Sequence, residues 1–563
     1  MGVGCCHSEE RVLASVGQLD EAEIRFESNH DVSTGGVLLA LPALLANGLL
    51  RHLKKYYQLP HGFYSIHQLF LTFALMTLLR LKSPENLRNV APGEFGKLIG
   101  LDRIPEVKTL RNKLEILSSQ KQAFIWNAEL SKDWMDDNPE AAGVLYIDRH
   151  IKTYYGQQTK LPRRYVSRQR LCLRGMSNYW INDYLCSPFF VISEAVNKGL
   201  ISILESDIVP RLLNDVPNQP TAEQLKANPN LYRFILVFDR EGYSPNFFKL
   251  MWEKRIACCT YRKFVKDEWS KAEFELVDVK LSNGEIEQMM LAERGLFLGK
   301  TIWVREIRKL TKSGHQTSIV TTDFIHNKVH IAPQMFTRWC QENFFKYMIE
   351  NFGIDRLIDY ETEELDDTTK VVNPEYRRLG NKIKNTVGKL GRRRVKFYEI
   401  NCDSSKSENE QNKIKKKKAE LLEEIELFEN DLTKLKEKRK AIKRHIAIAE
   451  LPESEKFKSL AKDKKLIVDT VKMIAYRAET AMVGIIRKHM ARKDDARALL
   501  KQLFKTEADI KPDYEIKILE ISLHHLTNRA SDKIIQKLCE QINKTETIYP
   551  DTNLRLIVKL GSS

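Results

Sequence analysis

An unbroken apolar run at residues 234–238, followed directly by Asp239, is the clearest hydrophobic pattern in the chain. Short apolar runs without alternation are typical of strands that are buried on both faces. Residues 242–245 then turn the chain into an amphipathic helix. Functional groups of open α/β sheets collect at the carboxyl ends of strands, so Asp239 is a candidate ligand. The alternative is that Asp239 only caps the following helix.

A second apolar strand, which begins at Gly143, ends in the same way at Asp148. The elements around it follow in the order strand 143–150, strand 151–155, strand 188–195, helix 207–216, strand 231–239, helix 245–256 and strand 257–262. This order predicts an α/β fold, in which a meander of three strands leads through right-handed crossovers into a mixed sheet. In the ribonuclease-H-like version, the first and fourth strands are adjacent and parallel. Asp148 and Asp239 would then meet at one end of the sheet.

Two carboxylates that meet in this way need a compensating charge. At a separation of about 4 Å they repel by roughly 4 kcal/mol at an effective dielectric constant near 20. Such a pair either shares a proton or holds cations. Because no set of sulfur or histidine ligands accompanies the pair, we expect Mg²⁺, with Mn²⁺ as a substitute. Two such ions are the usual machinery for displacement at a phosphodiester, and a third carboxylate would complete their site.

The third carboxylate is predicted on a helix that follows a β-rich segment. Residues 271–323 alternate as strands, with turn signals at 282–284 and 312–314, and predict an antiparallel insertion separate from the main sheet. In the helix that follows, Arg338, Glu342 and Lys346 are spaced by four residues and share one face. The alternative for these three residues is a row of surface ion pairs.

The remaining segments are predominantly helical. The predicted divisions are a helical segment at 1–60, a helical region at 61–140, the α/β domain at 141–355, an acidic then basic connector at 356–412, a charged helix at 413–450 and a mainly helical region at 451–563. Within 61–140, short helices joined by a tight turn suggest a helix-turn-helix module that contacts DNA through Lys108 and Arg111. The helix at 413–450 carries a heptad seam, which would either dimerise or fold back as a hairpin.

Composition narrows the class of partner. The 563 residues carry a formal charge of +16, and a surplus of this size favours a polyanion. The apolar runs at 36–50 and 70–79 are too short to span a bilayer, so we expect no membrane association. Nine cysteines without CxxC spacing favour reduced thiols in the cytoplasm. Nucleic acid is therefore the expected partner.

A basic connection inside the α/β domain supports this expectation. Its arginines alternate with aromatic residues, a combination that neutralises phosphates and stacks bases in nucleic-acid channels. The candidate DNA-binding arginines are Arg163, Arg164, Arg168 and Arg170. The alternative is a solvated basic loop.

Three acidic motifs together resemble the DDE transposases of bacterial insertion sequences. They are Tyr146-Ile-Asp148, Val237-Phe-Asp239-Arg-Glu-Gly-Tyr, and Arg338-x-x-x-Glu342 on the helix after the β-rich segment. The resemblance covers residues 143–353 and implies a ribonuclease-H-like core. It also implies that Asp148, Asp239 and Glu342 hold two Mg²⁺ ions for DNA cleavage and strand transfer. Its implied partners are the terminal inverted repeats and target DNA, bound by a homodimer in the bacterial cytoplasm or nucleoid.

The resemblance assigns further roles and also shows departures. Arg338 matches the arginine of the family signature, but Met335 stands in the tyrosine place and Ile349 in the lysine place. Lys346 or Tyr347, one turn earlier, would substitute for that lysine in holding DNA. By the same resemblance Trp303 would stack a flipped base, although a core position is the interpretation we favour.

Three alternatives stay open at this point. The chain could be a non-catalytic, domesticated DNA-binding relative that keeps the basic surface without metal. It could be a related nuclease that cuts DNA without joining ends. Asp323, at the end of Thr321-Thr-Asp323, could replace Glu342 as the third ligand.

Overall fold

The computed structural model describes residues 7–156, 160–166, 170–194, 199–265, 267–281, 284–336, 339–356, 361–400, 408–526 and 529–561; at 164–165, 339–342, 408, 410 and 529–530 it describes the backbone alone. The helices are α1 Ser8–Ser15, α2 Leu41–Ala46, α3 Leu53–Tyr56, α4 Ile66–Leu78, α5 Pro92–Lys97, α6 Val107–Ser119, α7 Ala123–Asp137, α8 Leu200–Ile203, α9 Val209–Asp215, α10 Ala222–Ala227, α11 Pro245–Glu253, α12 Lys328–Phe336, α13 Trp339–Tyr347, α14 Pro374–Glu399, α15 Glu408–Ala441, α16 Asp463–Arg487, α17 Ala496–Leu503 and α18 Arg529–Asn543. The strands are β1 Asn29–Val32, β2 Val144–Thr153, β3 Arg163–Val166, β4 Leu171–Asn182, β5 Pro188–Glu194, β6 Ile235–Phe238, β7 Ala257–Tyr261, β8 Glu275–Lys280, β9 Ile286–Leu298, β10 Ile302–Leu310, β11 Gln316–Thr321, β12 Thr362–Glu363, β13 Lys370–Val372, β14 His445–Ala447, β15 Ser459–Leu460, β16 Ala508–Asp513, β17 Ile518–Leu523 and β18 Arg555–Leu560.

The chain divides into two units. The first combines Met1–Tyr154, Arg163–Glu361 and Ala461–Ser563, and the second combines Tyr155–Pro162 and Thr362–Leu460. Within the described ranges, no helix is both long enough and apolar enough to cross a membrane.

A mixed sheet in the order β3-β4-β2-β6-β7-β11-β10-β9-β8, with β5 also paired to β4, is the centre of the first unit. Strands β2, β6 and β7 are parallel neighbours, and the other pairings are antiparallel. All four residues of β6 are buried. This burial explains why its sequence is a continuous apolar run rather than an alternating one.

The β-rich segment extends this sheet instead of forming a separate insertion. Strands β8 to β11 are antiparallel, as the sequence predicts, but β11 also pairs with β7 through Thr321↔Cys259. The prediction of a separate sheet is therefore wrong. The physical reason is that β7 would otherwise present a row of unpaired backbone N–H and C=O groups at an edge.

Apolar residues cover both faces of the parallel strands. On one face, Ile331 and Met335 of α12 pack on Ile235 and Val237. The hydroxyl of Tyr261 also donates a hydrogen bond to the carbonyl of Met335, at 2.9 Å. On the other face, the rings of Phe247 and Phe248 in α11 contact Phe238.

Helix α16 joins the two ends of the first unit. It packs against α2, α4, α6 and α7 from the amino-terminal part and against α17 and α18 from the carboxy-terminal part. A second sheet, in the order β1-β16-β17-β18, combines residues 29–32 with residues 508–560. Segments at opposite ends of the sequence therefore share one core.

A buried polar network lies where α4, α13, α16 and α17 meet. The Glu479 carboxylate is fully buried and accepts hydrogen bonds from Arg80 at 3.0 Å, from Arg497 at 3.2 Å and from the Tyr347 hydroxyl. Arg80 also donates to the Tyr347 hydroxyl at 2.8 Å. Burial and the adjacent Glu479 carboxylate raise the pKa of Tyr347, so this phenol stays protonated.

The second unit contains a helical hairpin. Helices α14 and α15 run antiparallel, as the contacts Arg393–Glu424 and Tyr376–Arg439 show. The heptad seam of the predicted 413–450 helix therefore folds back on a neighbouring helix of the same chain. The helix ends at Ala441, short of the predicted end at 450, and His445–Ala447 form β14 instead. The two-stranded pairings β12–β15 and β13–β14 also belong to this unit.

Substitution of Glu479 by Gln is expected to destabilise the first unit strongly. The change leaves two partly buried arginines without their buried counter-charge, which costs about 3 to 5 kcal/mol of unfolding free energy. Chemical denaturation would measure this loss. Asp463→Asn is a matched control on the same helix, because its 3.6 Å contact with Lys121 is partly exposed and is worth less than about 1 kcal/mol. Equal losses in the two variants would contradict the network's role.

Candidate active site

Asp148 and Asp239 occupy equivalent positions on adjacent parallel strands. The register of β2 and β6 pairs Tyr146 with Val237 and Ile147 with Phe238. The next residue on each strand is the aspartate, and neighbouring strands lie about 4.8 Å apart. The predicted adjacency of the first and fourth strands is confirmed by this register.

Asp148 lies in the middle of its strand and not at the end. Strand β2 continues to Thr153 because β4 pairs with it as far as Thr153↔Gly175. The sequence prediction of a strand that ends at Asp148 is therefore wrong. Strand β6, in contrast, stops at Phe238, so both aspartates lie just beyond the last residue pair between β2 and β6. Asp148 is partly exposed and Asp239 is exposed.

The backbone N–H group of the following residue orients each aspartate side chain. The Asp148 carboxylate accepts a hydrogen bond from the N–H of Arg149 at 2.8 Å, and the Asp239 carboxylate accepts one from the N–H of Arg240 at 2.6 Å. Asp239 thereby caps the short 3₁₀ turn Arg240–Gly242. The capping role that the sequence left open is thus present, and the capping carboxylate remains exposed to solvent.

An ion pair joins the two strand segments. The Arg149 guanidinium on β2 donates to the Glu241 carboxylate at 3.1 Å. Glu241 belongs to the turn that Asp239 caps, so this contact links the turn to β2. A charged pair at a partly exposed position contributes modestly to stability, but it constrains the relative position of the two aspartates.

Helix α13 lies over the sheet face that carries Asp148. His150, two residues along β2 on the same face, stacks on Phe345 with ring centroids 5.7 Å apart. Trp180, which is paired with Asp148 in the register, meets Phe344 edge-on at 5.7 Å and contacts Phe345 at 6.4 Å.

Glu342 is on this helix, one turn before Phe345. The helix that carries Glu342 therefore lies over the sheet face of Asp148; the side chain of Glu342 is not described. Arg338 lies outside the described residues. Lys346 is exposed on the same helix, whereas Tyr347 points into the buried Glu479 network and is not available for DNA.

Asp323 lies at the opposite end of the sheet. The pairings Thr321↔Cys259 and Ile235↔Ala257 align Asp323 with Ile235 at the start of β6. Ile235 precedes Asp239 by four residues, which is roughly 13 Å along the strand. Its carboxylate is fully buried and accepts from the N–H groups of Ile325 and His326 at 2.9 and 3.1 Å. Asp323 therefore orders the loop after β11 and is separate from the aspartate pair.

The predicted DNA-binding residues are dispersed. Arg163 and Arg170 are exposed at β3 and just before β4; the side chain of Arg164 is not described and Arg168 lies outside the described residues. On α6, Lys108 and Arg111 are exposed, and Arg111 forms an ion pair with Glu85.

The favoured core position of Trp303 is wrong. Its side chain is 48% exposed and meets the exposed Phe297 edge-on at 4.9 Å. This aromatic pair was missed because Phe297 and Trp303 come together only through the pairing of β9 with β10.

Comparison with known proteins identifies the class. The family model described as "Transposase protein" matches residues 2–562, so the chain belongs to this transposase family. No curated protein matches the chain. A solved piggyBac transposase synaptic complex with hairpin DNA is similar at 13% identity with a TM-score of 0.28; the match covers 56% of this chain and 65% of that one, less than two thirds of its length.

Substitution of Phe345 by Ala tests how α13 is held. The change removes the ring that stacks on His150 and contacts Trp180, and truncation of a buried Phe costs about 3 to 5 kcal/mol. We expect a loss of this size in denaturant unfolding. Phe297→Ala, which truncates an exposed ring, should cost less than about 1 kcal/mol. A small loss for Phe345→Ala would mean that other contacts position the helix.

Proposed function

We propose that this transposase catalyses Mg²⁺-dependent cleavage and strand transfer of DNA at the ends of an insertion sequence. The observation that carries the proposal is the position of Asp148 beside Asp239, with α13, the helix of Glu342, across the same sheet face. Membership of the transposase family supports it independently. Asp148, Asp239 and Glu342 are the proposed catalytic carboxylates.

The strand order supports a ribonuclease-H-like core. Strands β5, β4 and β2 are joined antiparallel, and β2, β6 and β7 follow in parallel. In chain order this is the 3-2-1-4-5 arrangement expected for that fold. Strands β11 to β8 then extend the sheet beyond the fifth strand.

The side chains at the site suit hard divalent cations. Asp148 and Asp239 offer carboxylate oxygens, which Mg²⁺ and Mn²⁺ prefer. The nearby His150 ring is stacked on Phe345, so its position is determined by packing. Asp148, Asp239 and Glu342 would hold two ions, whose chemistry is to activate the attacking oxygen and stabilise the leaving oxygen. The chain's own contribution is to hold three mutually repelling carboxylates in place before DNA binds.

Exposed cations and rings would contact the DNA. Lys346 is on α13 close to the proposed catalytic face, and Arg163 and Arg170 are exposed on the same unit. The exposed pair Phe297 and Trp303 could stack an unpaired base, since such stacking needs an accessible ring. We further propose that Arg164, Arg168, Arg338, Lys108 and Arg111 contact DNA.

The biological setting is part of the same proposal. The substrates would be terminal inverted repeats and target DNA, bound by a homodimer so that two active sites act on two ends. A bacterial, cytoplasmic or nucleoid-associated enzyme would fit this role.

Met335, in the tyrosine place of the signature, is fully buried against the sheet, so this position serves packing.

Loss of any proposed carboxylate is expected to abolish cleavage. Asp148→Asn, Asp239→Asn and Glu342→Gln each remove one charge from the metal site. Because a metal contributes several kcal/mol of transition-state stabilisation, we expect cleavage to fall about a thousandfold or more. The assay is nicking of a supercoiled donor plasmid that carries the coding segment with its flanking DNA, with Mg²⁺, Mn²⁺ or EDTA.

Two controls make this test specific. Glu241→Gln removes the ion pair with Arg149 and should reduce cleavage by less than about tenfold. Asp323→Asn should lower stability while the folded fraction keeps metal-dependent cleavage. Wild-type cleavage by Asp148→Asn would refute the carboxylate assignment, and absence of cleavage in the wild-type protein would favour the non-catalytic relative.

Strand transfer separates a transposase from a nuclease. Pre-cleaved ends with a free 3′-hydroxyl should be joined to target plasmid by the wild-type protein in Mg²⁺ or Mn²⁺, because the same site serves water and a 3′-hydroxyl as nucleophiles. Gel analysis of labelled ends would detect the joined product. Cleavage without any joining would assign the protein to the nuclease alternative.

A further inference from the structure

Half of the chain's positive surplus lies in one helical hairpin. Helix α14 carries nine Lys or Arg residues against two Glu, and α15 carries ten against nine Asp or Glu. The two helices thus contribute eight of the sixteen net charges of the whole protein. The two helices share this surplus unequally, since almost all of it lies on α14.

The hairpin register separates paired from unpaired cations. Arg393 and Arg394 of α14 form ion pairs with Glu424 and Glu429 of α15, the latter at 2.5 Å. Arg377, Lys384, Arg392 and Lys396 are exposed, and among the described residues they have no carboxylate partner. Ile383 and Leu390 are buried on the opposite side of the helix. These four cations define what we call the outer face of α14. Lys396 lies at the edge of this face, beside a cavity that Glu420 and Glu424 of α15 also line.

Two exposed glycines lie among these cations. Gly388 and Gly391 follow Lys384 at helical spacing, and a Cβ atom added at either position would meet nothing within 4 Å. Each glycine costs about 1 kcal/mol of helix stability relative to alanine, and no packing within the described structure uses the space. The space is open to an external ligand that approaches the helix closely.

We propose that the outer face of α14 binds the phosphate backbone of duplex DNA. Unpaired cations at one-turn and two-turn spacings complement a duplex, which carries one negative charge per about 1.7 Å of its axis. The open positions at Gly388 and Gly391 let the backbone approach the helix between Lys384 and Arg392. The choice of duplex DNA as the polyanion rests on the proposed function, whereas the binding face rests on the charges and exposure of α14.

The test removes the four cations and measures the salt dependence of binding. The variant combines Arg377→Ala, Lys384→Ala, Arg392→Ala and Lys396→Ala in the full chain. Its binding to a fluorescent 30-base-pair duplex would be followed by anisotropy in EDTA over a series of NaCl concentrations. We expect the slope of log K against log [salt] to become shallower by about three to four, equally for unrelated sequences.

A matched control removes the same charge from the partner helix. Lys434, Lys436, Lys438 and Lys440 are exposed on α15, and their replacement by Ala should change the slope by less than about one. Because binding is measured in EDTA, where no cleavage occurs, a failure of the proposed catalysis would not affect this readout. An equal change in slope for the α14 and α15 variants would overturn the proposal.

Substitution of the glycines separates binding from folding. Gly388→Gln with Gly391→Gln should raise or maintain the melting temperature, because both changes favour a helix. The same variant should bind duplex DNA about tenfold more weakly, and the Ala pair should bind between it and the wild type. Unchanged DNA affinity of the Gln variant would overturn the proposal. A variant that loses affinity for RNA but not for DNA would also overturn it. A variant that loses self-association in sedimentation while it keeps its affinity for DNA would do the same.

Discussion

The parallel pairing of β2 with β6 is the constraint on which the rest of the structure depends. It places two carboxylates on neighbouring strands although their charges repel, and the apolar residues of β6, buried on both faces, stabilise that arrangement. A register slip of one residue would turn Asp148 to the opposite face of the sheet. The covering helices α11 and α12 therefore contribute to the site, because they bury the strands that determine the register.

Helix α13 is held from two sides, and this explains why the proposed active site needs the ends of the chain. Its aromatic residues pack on β2 and β4 through His150 and Trp180, and its last residue, Tyr347, joins the buried network of Glu479. That network draws on α4, α16 and α17, which carry no chemical motif of their own. Their role is to position the helix that carries Glu342.

Cations of the first unit and cations of the helical hairpin differ in whether they are paired with carboxylates. In the first unit, cations such as Arg80, Arg149 and Arg497 are paired and serve structure. On the outer face of α14, cations are exposed and lack partners among the described residues. Paired cations orient neighbouring groups, whereas solvated ones attract a polyanion at long range. Half of the chain's positive surplus therefore lies in this hairpin, outside the unit that holds the proposed carboxylates.

Local sequence indicated strands β6 and β7 and the antiparallel character of β8 to β11, because apolar runs and turn residues act over a few positions. It also indicated the helix of Glu342. The order of the elements indicated that Asp148 and Asp239 are neighbours. The sequence prediction missed β4, and it treated residues 151–155 as a separate strand although residues 151–153 continue β2. Only the tertiary structure decided that β2 continues past Asp148, that β11 extends the main sheet, that Asp323 lies at the far end and that Trp303 is exposed. Each of these depends on which strand or helix lies alongside, and such pairings join residues far apart in the chain.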